Sequence, residues 1–175
     1  MSKTNGNIAL IGLMGAGKTS VAQKIAALAS MPLLDMDAEI EKTTKMTAAE
    51  IFACHGEKYF RRLEHELCQK IAGLHHTIIS TGGGIVLDSR NICTLRKFAT
   101  VFYLKASPAK LATNIRADNT RPLLANKDKP AALTVLLAQR EPLYHQAAHH
   151  IVDTEYLDIS AIAAKITHMF GGQAI

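Results

Sequence analysis

Gly12-Leu13-Met14-Gly15-Ala16-Gly17-Lys18-Thr19 is the stretch that decides how this 175-residue chain is read. It fits the phosphate-binding pattern G-x-x-x-x-G-K-[ST] and follows the apolar segment Ile8-Ala9-Leu10-Ile11 directly, which sets it between a strand and a helix. At an average glycine usage of about 7%, a chance match in a chain this long is on the order of one in a hundred. Glycines let successive N–H groups turn toward one anion, so the segment Gly15-Ala16-Gly17-Lys18-Thr19-Ser20 can cradle phosphates. Lys18 can reach the outer phosphates, Thr19 can offer its hydroxyl to Mg²⁺, and the following helix adds the positive end of its dipole. A nucleoside triphosphate with magnesium is the natural occupant.

Outward from that loop, residues 7–11 read as a buried strand, and Lys18 to about Ala29 carries Val21, Ile25 and Leu28 at helical spacing. Met31-Pro32 ends the helix. Leu33-Leu34 is a short apolar run closing on Asp35-Met36-Asp37, two carboxylates where a strand finishes, and ligands of open α/β sheets collect beyond such strand ends. Thr47-Ala48-Ala49-Glu50 has capping-box spacing and predicts a helix start, and Gly56 separates that helix from a longer one over about 57–72. On the second helix Arg61 and Glu64 share a face, whereas Arg62, Glu66 and Lys70 read as a solvated face. Thr77–Ser80 is a β-branched strand running into Gly82-Gly83-Gly84, where a ligand can lie against bare backbone.

The second half continues the alternation. A helix is expected over 88–98, a strand over 101–104, and a helix from the cap Ser107-Pro108 to about Arg116. Residues 117–130, including Arg121, lack periodicity and are rich in polar, Pro and Asn residues, so a mobile lid is expected there. Helix resumes from Ala131 to about His145, with Pro142 implying a kink or a break; Ile151-Val152 is a last strand, and a helix over 157–170 ends at Gly171-Gly172. Strands alternating with helices from a phosphate loop predict a single three-layer α/β/α domain over 1–175, with a parallel sheet of about five strands.

Composition narrows the function. The net charge of +5 is spread over scattered lysines and arginines, and the aromatic content of 5% is too sparse for base stacking, so anionic small molecules are expected rather than nucleic acid. No apolar run reaches membrane-spanning length and no apolar leader precedes the first strand, so the expectation is a cytoplasmic protein with no membrane partner. Cys54, Cys68 and Cys93 lack disulfide or zinc spacing and read as buried or free thiols; His75-His76 and His149-His150 read as surface connections rather than metal ligands.

Taken together, GLMGAGKTS at 12–20, LLDMD at 33–37, FRRLE at 60–64, STGGG at 80–84, TRPLL at 120–124 and REPLY at 140–144 resemble the shikimate kinase family in order and approximate spacing. The resemblance covers nearly the whole chain. It implies a P-loop fold like that of the nucleoside monophosphate kinases and transfer of the γ-phosphoryl of ATP to the 3-hydroxyl of shikimate, a step toward aromatic amino acids. By that resemblance Lys18 contacts phosphate, Thr19 and Asp35 hold the metal with Ser80 beside them, and Asp37 binds the reacting hydroxyl. Arg61 and Arg140 grip the substrate carboxylate, Gly82, Gly83 and Gly84 form the pocket wall, Glu64 orients the pocket, and Arg121 reaches the transferring phosphoryl from the lid. The resemblance implies substrate-binding helices over about 37–72, and a monomer is expected.

One departure is visible. The family often carries an arginine seven positions before the lid arginine, flanking the adenine; here that residue is Asn114, and the nearest arginine is Arg116. Rival readings are a kinase for another small hydroxy acid such as gluconate, a nucleotide kinase, or a non-catalytic ATP-dependent switch.

Overall fold

A computed structural model of the chain describes residues 5–115 and 129–172. Five parallel strands, β1 (Asn7–Ile11), β2 (Leu33–Asp35), β3 (Ile78–Ser80), β4 (Ala99–Lys105) and β5 (His150–Asp153), form one sheet in the order β2-β3-β1-β4-β5. Strands β1 and β3 are buried throughout and β4 to its last residue, the pattern of a parallel sheet covered on both faces. Seven helices of the described residues flank it: α1 (Lys18–Ala29), α2 (Met36–Thr44), α3 (Ala48–Lys70), α4 (Ser89–Phe98), α5 (Pro108–Ile115), α6 (Lys129–Ala147) and α7 (Ile159–Gly171). The architecture is the expected three-layer α/β/α.

Register brings the chemistry to one edge. Ser80 of β3 pairs with both Leu10 of β1 and Asp35 of β2, so the phosphate loop, the Asp35–Asp37 segment and the three glycines all leave the sheet side by side at its carboxyl edge. Connections change direction around β1, whose neighbours are β3 and β4, and that is where open sheets form a crevice.

Local chemistry explains the helix boundaries. Thr47 Oγ1 accepts from the Glu50 amide at 3.2 Å while Glu50 Oε2 accepts from the Thr47 amide at 2.7 Å, the reciprocal capping box expected for α3. Gly56 interrupts α3 as one residue at φ +79°, a turn conformation that glycine adopts without strain. Asp35 caps α2, accepting from the amides of Asp37 at 3.1 Å and Ala38 at 3.2 Å.

Three boundaries differ from the sequence reading. Helix α2 follows β2 without a connecting turn; the family resemblance implies helix from about residue 37, whereas the pattern of residues 38–46 alone marks no separate element. Its charged run buries only Met36 and Ile40, so helical periodicity is hardly visible before α3 covers it. Helix α6 begins at Lys129 and continues through Pro142, so that of the kink or break expected there the chain makes no break. Pro142 takes away the amide that would bond the Ala138 carbonyl, and both residues are exposed, so water can serve that carbonyl. The remainder of the expected loop, 117–128, lies outside the described residues with Arg121, and so does Arg116 before it.

The main core fills both sides of the sheet. A second, smaller cluster of Ile40, Ile51 and Phe60 sits between α2 and α3, with Met46, Phe52, Tyr59, Leu63 and Leu67 packed against it. Helices α2 and α3 therefore carry an apolar centre of their own beside the sheet.

Candidate active site

Gly12 to Thr19 wraps from the end of β1 into the first turn of α1, and α1 begins at Lys18 with no side-chain cap. Its first amides are thus available to an anion. Lys18 is 8% exposed, and its Nζ donates to the Gly12 carbonyl at 2.8 Å and the Leu13 carbonyl at 3.2 Å, which keeps the ammonium over the loop. Ala16 N–H donates to the Leu13 carbonyl at 3.1 Å, closing a turn inside the loop. A cleft of about 730 Å³ lies over the loop, lined among others by Lys18, Asp37, Lys110, Asn114, Asp158 and Ser160.

At the adjoining strand ends three oxygens gather. Thr19 Oγ1 donates to Asp35 Oδ2 at 2.8 Å and lies 3.4 Å from Ser80 Oγ. This hydroxyl, carboxylate and hydroxyl set, next to a phosphate cradle, suits a hard cation of the Mg²⁺ type, which prefers oxygen ligands and one or two carboxylates.

On the far side of Asp37 the three glycines form a wall. A Cβ built on Gly82 would stand 2.6 Å from Glu64 Oε1 and 2.8 Å from Asp37 Oδ1, so both carboxylates press on that residue. A Cβ on Gly84 would overlap the Arg61 guanidinium. Arg61 is held in place by Glu64 Oε2 at 2.5 Å and by Glu57 Oε1 at 2.9 Å, and it lies 5.6 Å from the Phe60 ring centroid and 5.9 Å from that of Phe52. Arg140, 5% exposed, reaches in from α6 and donates to the Gly83 carbonyl at 3.2 Å.

Glu64 is the most enclosed carboxylate of the pocket, 1% exposed. Burial pushes its carboxyl up to about 7; Arg61 pulls against that, Asp37 adds to it, and Arg140 opposes it. Its Oε1 has no hydrogen-bond partner among the described residues. Arg61, Glu64, Arg140, Asp37 and the glycines therefore share one small polar space, adjacent to the loop that carries Lys18 and Thr19.

Sequence reasoning had no role for Tyr144. It is fully buried, its hydroxyl donates to the Gly83 carbonyl at 2.5 Å, and its ring stacks on Tyr103 at 5.0 Å. The signal was available: Leu133, Leu137, Arg140, Tyr144 and Ala147 are the buried residues of α6, and steps of four and three put them on one stripe. Asn114, noted only as a departure, donates from Nδ2 to the Gly15 carbonyl at 2.8 Å. Glu57, four residues before Arg61, had read only as the start of a helix. Arg121 lies outside the described residues.

The cysteines and histidines sit away from this pocket. Cys68 is buried and Cys54 and Cys93 are exposed, all as free thiols. His75 and His76 are exposed, and His149 Nδ1 accepts the Val101 amide at 2.9 Å. No helix among the described residues is long and apolar enough to cross a membrane.

Known proteins agree with this geometry. The family model "Shikimate kinase" matches residues 14–170. A curated shikimate kinase from Caldicellulosiruptor saccharolyticus is 41% identical over 160 residues, covering 91% of this chain and 92% of that protein. The solved structure of a shikimate kinase from Acinetobacter baumannii in complex with shikimate superposes with a TM-score of 0.92 at 32% identity, covering 97% of this chain and 94% of that one. A gluconokinase from Sinorhizobium meliloti shares the fold alone, with a TM-score of 0.59 at 14% identity over 98% of this chain and 94% of that one. With a phosphate cradle, a carboxylate and two pocket arginines converging at one sheet edge, the chain belongs to the shikimate kinase family.

Proposed function

We propose that this chain transfers the γ-phosphoryl group of ATP to the 3-hydroxyl of shikimate, giving shikimate 3-phosphate and ADP. The observation that carries the reading is the convergence of Arg61, from α3, and Arg140, from α6, on the same glycine wall that backs Asp37. Two guanidinium groups from distant segments suit a carboxylate, because each offers a planar fork of donors and together they read its orientation.

In this reading ATP lies along Gly15-Ala16-Gly17-Lys18-Thr19-Ser20, with Lys18 on the outer phosphates. Thr19 and Asp35, with Ser80 adjacent, would hold Mg²⁺, which would supply neutralisation of phosphate charge when bound with ATP. Arg61 and Arg140 fix the shikimate carboxylate, which aims the ring hydroxyl at Asp37. As the new oxygen–phosphorus bond forms and the bond to the β-phosphate oxygen breaks, the hydroxyl proton passes to the Asp37 carboxylate. Phosphoryl transfer depends on positioning and charge more than on covalent chemistry, so this set is sufficient. Arg121, in the segment before α6, is assigned to the transferring phosphoryl, and Glu64 to holding Arg61.

The test is an ADP-release assay comparing shikimate, gluconate and nucleoside monophosphates as acceptors. Turnover with shikimate at least about 100-fold above the others in kcat/KM is the expected result. Turnover with gluconate or a nucleotide instead, or tight ATP binding without acceptor-dependent turnover, would replace the reading with one of its rivals.

A further inference from the structure

We infer that Asn114 is a positioning residue for the nucleotide phosphates: its side-chain amide pins one peptide unit of the phosphate loop against α5. The inference rests on the reading of that loop as the ATP site. The Gly15 carbonyl and the Ala16 N–H belong to the same planar trans peptide and therefore point opposite ways. Each end is held. Ala16 N–H donates inward to the Leu13 carbonyl at 3.1 Å, and Asn114 Nδ2 donates from α5 to the Gly15 carbonyl at 2.8 Å.

A second observation places α5 as the backing of the loop. Gly15 has φ +83°, and a Cβ there would lie 2.7 Å from the Leu111 carbonyl oxygen and 2.8 Å from the Ile115 side chain. Only glycine lets the two backbones approach so closely. With its carbonyl engaged by the Asn114 amide, Gly15 keeps that oxygen on a donor and fixed in place instead of free to turn toward the anion. A carbonyl swung inward would face phosphate oxygens, acceptor against acceptor. Asn114 thus acts through the loop and needs no contact with the base.

That distinction gives the experiment. Binding of MgATP to the purified full chain is measured by calorimetry, and binding of magnesium tripolyphosphate by competition against ATP, for the unsubstituted chain, Asn114→Ala and Asn114→Asp. Asn114→Ala is expected to weaken ATP and tripolyphosphate by the same factor, about 5-fold, the worth of one neutral hydrogen bond, with the KM for shikimate unchanged. Asn114→Asp can no longer donate to the carbonyl and adds a negative charge near the phosphates, so a loss above about 10-fold on both ligands is expected. A loss on ATP with tripolyphosphate unaffected would mean that Asn114 acts on the base, and no loss on either would mean that the hydrogen bond does not hold the loop; both overturn the inference. Failure of the unsubstituted chain to bind ATP would overturn the kinase reading and this inference with it. Unchanged melting temperatures of the unliganded variants separate a loop effect from a folding defect.

Discussion

Glu64 is itself almost wholly buried beside the charges of Arg61, Asp37 and Arg140, and its behaviour with pH follows from that. Its folded carboxyl sits near 7 against an ordinary value of 4.5, so the stability it contributes is complete below about 4.5 and is lost as pH rises through about 7. Glu64→Gln removes the titration. The stability of the natural chain relative to Glu64→Gln should therefore fall by on the order of 3 kcal/mol between pH 4 and pH 8, measured by urea unfolding across that range. The same proton governs the substrate. Neutral Glu64 leaves the Arg61 charge to the shikimate carboxylate, and ionised Glu64 competes for it, so the KM for shikimate should rise as pH passes 7 in the natural chain and stay level in Glu64→Gln. A KM profile with the same slope in both proteins would remove Glu64 from that role. Asp37 acts in the chemical step instead. Asp37→Asn should keep ATP affinity while kcat drops by at least about 100-fold, and near-normal turnover would show that another group takes the proton.

The strands and their carboxyl-edge residues were legible as short apolar or β-branched runs ending in Asp, Ser-Thr-Gly or a phosphate loop, because a parallel strand buried on both faces must be apolar along its length. Helix α2 was legible only through the family resemblance and not in its own periodicity, since two buried residues in nine leave no stripe to read. Pro142 does not break α6, because its neighbours are fixed by the packing of Leu137, Arg140 and Tyr144, which outweighs one missing hydrogen bond. In the pocket, charged residues carried by recognisable segments could be found, whereas Tyr144 and Asn114 act on backbone carbonyls of distant segments, a pairing that only tertiary structure creates. The contact between α3 and the glycine segment also makes a prediction. A methyl group at Gly84 would collide with the tip of a flexible arginine and with no backbone, and Gly84 itself has an ordinary φ of −99°. Gly84→Ala should therefore fold with a melting temperature within about 3 °C of the natural protein, a surface-sized effect, while its KM for shikimate rises at least about 10-fold because Arg61 is displaced. Unchanged shikimate kinetics would mean that Arg61 does not hold the substrate from its observed seat.

Two apolar centres underlie the two halves of the proposed reaction. The phosphate loop is anchored in the main sheet core through β1 and α1, whereas Asp37 and Arg61 ride on α2 and α3 around the small cluster of Ile40, Ile51 and Phe60. A cluster of three fully buried side chains stabilises its surroundings far less than the sheet does, so α2 and α3 should exchange amide hydrogens faster than β1 and β4. Shikimate links the small centre to the large one by drawing Arg61 and Arg140 together across the glycine wall. A ligand that binds only the folded state at 100 times its Kd adds about 2.7 kcal/mol, which for a domain of this size raises the melting temperature by roughly 5–10 °C. Shikimate and MgADP should each produce such a shift in the natural chain, and shikimate should also slow exchange in α2 and α3. Arg61→Ala should abolish the shikimate shift and the slowed exchange while leaving the MgADP shift intact, because the loop and Lys18 stay anchored in the main core. Loss of both shifts would mean instead that the two centres unfold as one unit, and that Arg61 supports the nucleotide half as well as the acceptor half.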